Sequence, residues 1–145
     1  MPTPERFTGK FNPEQTRQLL APIRPHRVLT ANGHSHVSQQ DVIAHLTRIF
    51  GFGNWALDLV FERCRQEQPE QPHRERWDVC YKAVMRLTVF DEFHNPVTYF
   101  EDGSMGDAQN QTRADAHDLA MKTAISTALK RCAKNLGDQF GLSLY

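Results

Sequence analysis

The sequence predicts an α+β fold, an antiparallel three-stranded sheet with one long helix packed across it, preceded by N-terminal helices and a hairpin. Three observations lead to this β-β-β-α core. Trp77, Val79, Tyr81, Ala83, Met85, Leu87 and Val89 alternate with Arg76, Asp78, Lys82, Arg86 and Thr88, the period of a strand with one packed and one wetter face. Shorter runs flank it: Trp55, Leu57, Leu59 and Phe61 before, Val97 to Phe100 after the Asp91–Pro96 turn. From about Thr112 to Leu136, Met121, Ile125, Leu129, Cys132 and Leu136 return every three or four residues, which gathers them on one helical stripe.

The elements follow in order. Asn12, Pro13 and Gln15 supply an N-cap, a proline at the first helical position and the partner of a capping box, so a short helix runs to about Leu20 and closes before Pro22. Arg27 to Thr30 is β-like, and Asn32-Gly33 is the turn of a hairpin returning through His34 to Val37. Ser38 with Asp41 reads as a second capping box, opening a helix of Val42, Leu46, Ile49 and Phe50 that Gly51 stops. Arg65 to His73 is polar and proline-punctuated, which predicts a mobile loop. Glu101 to Gly106, with two glycines, predicts the end of the sheet, and Gly137 the end of the long helix.

At 145 residues the chain is expected to form one domain. No stretch approaches the ~20 apolar residues of a membrane span, and the N-terminus lacks an apolar secretion segment, so a cytoplasmic site is expected. Cys64, Cys80 and Cys132 are scattered and odd in number, which suits packing thiols better than disulfides or zinc. Formal net charge is zero, yet the charge is unevenly laid. Leu119 to Gly137 carries Lys122, Lys130, Arg131 and Lys134 without an acid, whereas Asp91 to Asp118 carries seven acids against Arg113.

On the last helix, Lys122, Lys130 and Lys134 pass from the edge of the apolar stripe round one flank, with Arg131 further behind. Such a flank suits a phosphate chain; it equally suits a solvated face whose lysines complement the helix dipole. Trp55, Trp77, Phe50 and Phe52 are the right residues to stack on bases, but their spacing favours core packing. His34 and His36 lack a third metal ligand nearby. No phosphate-cradling G-x-x-x-x-G-K-[ST] is present, so neither ATP nor another cofactor is expected.

Three segments carry a resemblance. Phe50-Gly-Phe-Gly-Asn-Trp55 resembles the FG-aromatic-x-x-W element of the Rad52 family. Glu101-Asp-Gly-Ser-Met-Gly106 is similar to its E-D-x-G-x-G strand end, with the first glycine one place early. Ala124-Ile-Ser-Thr-Ala-Leu-Lys-Arg131, followed by Leu136-Gly137, resembles its A-V-T-D-A-L-K-R…F-G segment. They occur in the family's order across roughly Leu20 to Tyr145. The resemblance implies a non-enzymatic, ATP-independent protein that binds single-stranded DNA and anneals complementary strands in recombination and repair, as a homo-oligomeric ring. It implies a groove holding Arg27, Lys130, Arg131 and Lys134, and a secondary outer site near Arg76 and Arg113 or Lys122. Thr127 replaces the family's usual acid, and Val37-Ser-Gln replaces a tyrosine-rich strand. Relatives with long tails recruit a recombinase or a single-strand-binding protein; this chain, which stops just after its last helix, is expected to be either a minimal phage or bacterial form, acting at the nucleoid or in the phage-infected bacterial cytoplasm, or a trimmed one.

Two other functions are compatible with the pattern. A double-stranded-RNA-binding module also has a helix, three strands and a helix, but its lysines lie at the other end of a shorter last helix. A Mg²⁺-dependent nuclease would use Glu101, Asp102 and Asp107.

Overall fold

Local chemistry shapes the N-terminal part of the chain. Asn12 Oδ1 accepts from Gln15 N at 2.8 Å and Gln15 Oε1 accepts from Asn12 N at 3.0 Å, the reciprocal capping box that opens α1 (Pro13–Leu20). Pro25–Arg27 forms a 3-10 turn, because Pro25 supplies the helical φ, and the strand expected from Arg27 begins two residues later. β1 (Leu29–Ala31) and β2 (His34–His36) then pair antiparallel about Asn32 and Gly33, both at positive φ (51° and 78°) as a tight hairpin requires. Ser38 Oγ accepts from Asp41 N at 3.0 Å and caps α2 (Gln39–Phe50). Only this half of the predicted box forms, because the Asp41 carboxylate is engaged by Arg27.

The computed structural model describes residues 7–71 and 75–145. Three long strands, β3 (Trp55–Gln71), β4 (Arg76–Phe90) and β5 (Pro96–Gln111), form one sheet in the order β3-β4-β5, and α3 (Arg113–Ala133) follows, continued by a 3-10 turn at Lys134–Leu136. Two expectations fail here, both by reading punctuation too literally. Arg65 to Gln71 is strand, not loop; Pro72 and His73, the end of the predicted loop, lie outside the described residues. Pro69 is tolerated because β3 is an edge strand, where a missing N–H leaves no neighbour unpaired. Likewise Glu101 to Gly106 is not the end of the sheet but the middle of β5. Its glycines are packing residues: a Cβ on Gly106 would lie 2.3 Å from Ala120 O and 2.4 Å from Ala124 N. The helix backbone therefore rests directly on the strand.

The chain divides into two compact units, one of the segment ending at Leu57 with Leu87–Phe100 and Cys132–Tyr145, the other of Asp58–Arg86 and Glu101–Arg131. In the second unit the predicted alternation of β4 holds, with Val79, Ala83 and Met85 buried and Trp77 and Tyr81 half-buried. The buried stripe of α3 differs from expectation. Ala116, Ala120, Ala124 and Ala128 face inward, with Leu129, while Met121 and Ile125 sit half-buried on the flank. Small strand residues, Ser104, Gly106 and Ala108, leave room only for alanines. Leu59 and Phe61, expected inside, are exposed. In the first unit Val37, Val42, Leu46, Ile49, Phe50, Leu87, Val89, Cys132, Leu136 and Phe140 make the core, whereas Phe52 is 93% exposed at the tip of the turn after α2. Among the described residues no helix is long and apolar enough to cross a membrane.

Candidate nucleic-acid interface

The predicted cations divide between the two units. In the second unit, Lys130 and Arg131 form the last turn of α3. Arg131 is exposed, and its Nη1 donates to Gly103 O at 2.7 Å. The glycine of the acidic motif thus presents its carbonyl to the arginine of the basic motif, 28 residues away in sequence. The carboxylates of that motif are otherwise engaged: Glu101 pairs with Arg86 at 2.5 Å and Asp102 accepts from Gly103 N at 2.7 Å. Lys130 is half-buried, and loss of hydration lowers its pKa from the ordinary lysine value.

Arg113 and Arg76 occupy the other end of this unit. Lys130 stands 17 positions beyond Arg113, roughly 26 Å along the helix at 1.5 Å per residue, and Lys122 is exposed between them. Arg113 donates Nε and Nη2 to Glu67 at 3.1 and 3.0 Å and lies 5.1 Å over the Trp77 ring. His117 joins the same carboxylate and has its Nδ1 2.6 Å from the Tyr81 hydroxyl. Arg113, then His117, hold the Glu67 carboxyl below the usual carboxylate range. Arg113 is therefore a tie between α3 and β3, and Arg76, next to Trp77 in sequence, is exposed.

The remaining two predicted residues belong to the first unit. Lys134, half-buried, holds its Nζ 5.8 Å from the Tyr145 ring centroid. Arg27 has a side chain only 7% exposed and is bound on three sides. Its Nε and Nη2 donate to Asp41 at 3.2 and 2.8 Å, and Nη1 donates to Gln139 Oε1 at 3.1 Å. Gln139 is the hub of this network. Its Oε1 also meets His45 Nε2 at 2.8 Å, and its Nε2 donates to Ala21 O and Pro22 O at 3.0 and 2.8 Å. Arg48 Nε donates to His45 Nδ1 at 3.1 Å, so that nitrogen is an acceptor and His45 is neutral with its proton toward Gln139. Burial, then the nearby Arg27 charge, lowers the His45 pKa.

This network forms one wall of an open basin of about 850 Å³ between α1, the Pro22–Arg27 segment and α2. Besides Arg27 it is lined by Arg17, Arg24 and Arg48, none singled out by sequence because they come from three separate elements. Among the described residues no group of three His, Cys, Asp or Glu side chains converges as a metal site. Glu101 and Asp102 are successive strand residues and point to opposite faces, which separates the carboxylates a nuclease would need together.

Comparison with known proteins gives the lineage. Residues 7–145 match the family described as Rad52/22 family double-strand break repair protein. The chain is 28% identical over 102 residues to the DNA repair and recombination protein RAD52 of Candida glabrata, a match covering 68% of this chain and 18% of that protein. It is 27% identical over 111 residues to the DNA repair and recombination protein mus-11 of Neurospora crassa, covering 76% and 18%. Against RAD52 of Eremothecium gossypii it is 30% identical over 106 residues, covering 68% and 21%. The matched stretch spans about a fifth of the length of these relatives. With the family match running through every element from α1 to the last 3-10 turn, the chain belongs to the Rad52/22 family of double-strand break repair proteins.

Proposed function

We propose that this chain is a single annealing domain that binds single-stranded DNA through its phosphates and brings complementary strands together during recombinational repair, without nucleotide hydrolysis. The observation that supports this reading is the hydrogen bond from Arg131 to Gly103 O, where two of the three segments that carry the resemblance meet and the Arg131 side chain is held. Lys130, Arg131 and Lys134 supply about three phosphate contacts per subunit. At a slope of about −0.7 per contact, affinity of one subunit falls roughly 20-fold between 0.05 and 0.2 M salt. Such binding is weak alone, and a homo-oligomeric ring, by placing many copies along one strand, makes it strong through effective concentration. Backbone contacts leave base edges open to a second strand and carry no sequence preference. Arg76 and Lys122 extend the positive surface toward an outer site.

The test is annealing of complementary oligonucleotides with and without the protein, in the absence of nucleotide, across a salt series. Lys130→Ala with Arg131→Ala is expected to abolish strand binding and annealing while the oligomer, measured by light scattering, persists. Unchanged affinity of that variant at ~0.1 M salt overturns the site assignment. A preference for duplex RNA, or Mg²⁺-dependent cleavage of the strand, overturns the function.

A further inference from the structure

We infer that Tyr145 is a positioning residue for strand binding, whose ring holds the Lys134 ammonium in place while leaving its charge open to a phosphate. The inference rests on the proposed function, in which Lys134 is a phosphate contact, and it concerns a residue which neither the resemblance nor the family match singles out.

The character of the contact is the first argument. Lys134 Nζ stands 5.8 Å from the centroid of the Tyr145 ring, within reach of a cation–π attraction. Among the described residues Lys134 makes no ion pair. Asp138 is the acid nearest to it in sequence, and both carboxylate oxygens are occupied. Oδ2 accepts from Ile23 N at 2.8 Å and Oδ1 from Ser143 N at 3.0 Å. A carboxylate partner would fix the ammonium and cancel its charge. An aromatic face fixes it through the ring quadrupole, takes none of its three N–H donors and leaves the positive charge in place. A lysine that is to receive a phosphate needs a partner of the second kind.

The mounting of the ring is the second argument. Tyr145 follows two consecutive 3-10 turns, Asp138–Phe140 and Leu142–Leu144, joined at Gly141 in the left-handed region (φ 87°). Gly141 N donates to Asp138 O and Leu144 N to Gly141 O, both at 2.9 Å, so each turn is closed. The bare Gly141 makes room for the ring: a Cβ there would lie 3.3 Å from Tyr145 Cε2 and 3.5 Å from Val37 Cγ2. At the far end of the ring the backbone of the fully buried Val37 hydrogen-bonds the Tyr145 hydroxyl. The ring is thus held along one edge and at its tip, yet Tyr145 stays 56% exposed. Phe140, in the same segment, is fully buried in the core; an aromatic that served packing alone would be expected to follow it inward.

A positioning ring changes how readily an existing contact forms, not how many contacts there are. Its removal lowers the affinity of one subunit by the strength of an exposed cation–π contact, about 2- to 5-fold, and leaves the salt slope as it was. Removal of Lys134 itself takes a contact away and flattens the log–log slope by about 0.7.

The experiment measures binding of a short fluorescent oligo-dT to the full chain over a salt series. Tyr145→Leu is expected to bind about 2- to 5-fold more weakly than wild type with the same salt slope, and Tyr145→Phe, which keeps the ring, to restore the affinity. In a Lys134→Gln background Tyr145→Leu is expected to add nothing. Binding by Tyr145→Leu as tight as wild type or tighter overturns the inference, as does a loss that persists undiminished in the Lys134→Gln background. If Tyr145→Leu binds like wild type while Lys130→Ala/Arg131→Ala is impaired, the positioning role is wrong and the proposed function stands. If none of the variants differs from wild type, both fall. Should Tyr145→Leu fail to fold, the wild-type chain with its five lysines dimethylated in carbon-13 gives the answer by NMR. The Lys134 resonance, identified by its loss in Lys134→Gln, is expected upfield of the others through the ring current and to move on addition of oligo-dT. A Lys134 resonance at the position of the other lysines overturns the inference.

Discussion

Replacing Arg27 by alanine separates a groove contact from a structural tie. Arg27 gives three hydrogen bonds, two to a carboxylate that is itself only 20% exposed and one to the buried Gln139. Removing one partner of a buried pair costs about 3–5 kcal/mol when the other charge is left uncompensated. Asp41 keeps some exposure and Arg48 at 3.7 Å, so the loss is reduced to about 2–3 kcal/mol. For 145 residues, at ~2.1 cal/mol/K of unfolding entropy each, that is a fall of about 7–10 °C in melting temperature. Thermal and urea unfolding at one fixed protein concentration measure it, because the proposed oligomer would make the midpoint concentration-dependent. A cycle with Asp41→Ala isolates the pair and is expected to give a coupling between 0.5 and 3 kcal/mol. A variant with unchanged stability but lost strand binding would refute the reasoning, since Arg27 would then act on the ligand and not on Asp41.

Two further outcomes are expected. Gly106→Ala forces the α3 backbone about 1 Å off β5 and destabilises by at least 1–3 kcal/mol, whereas Met105→Ala, on the half-exposed neighbouring position, stays well below that; urea midpoints of the two variants give the comparison. His45 is held neutral by burial, then by Arg27, with Arg48 opposing and Asp41 favouring its protonation. Its folded pKa lies below the unfolded value, so between them the unfolded chain binds the extra proton, and stability falls as pH drops below about 6.5. His45→Gln, which cannot titrate, is expected to flatten that limb of a melting-temperature profile; an equally steep limb in the variant contradicts the assignment.

Much of this fold was legible because it is written in short-range chemistry. The Asn12–Gln15 box, the Asn32-Gly33 turn, the alternation from Trp77 to Val89 and the stop at Gly137 each act within a few residues, and each appears where expected. What sequence could not show depends on neighbours distant in the chain. Pro69 is harmless only because its strand lies at the sheet's edge, and Gly106 is a packing glycine only because a helix returns to cover it. The alanine stripe of α3 escapes a count of large apolar residues, though its four-residue spacing was present throughout. Among the candidate site residues, the Lys130–Arg131 pair was visible as a charge cluster. The tie of Arg27 was not, since its partners lie 14 and 112 residues away.

The tether between Arg131 and Gly103 bears on how tightly a modest site can hold its ligand. A free arginine surrenders up to about 2 kcal/mol of rotamer freedom when it is immobilised by a partner. One nitrogen of this guanidinium is already fastened to a β-strand carbonyl, so much of that freedom was given up when the chain folded. Under the proposed function, capture of a phosphate would begin from a side chain aimed in advance, and a small entropic saving of this kind would multiply along a strand with every subunit of the proposed ring.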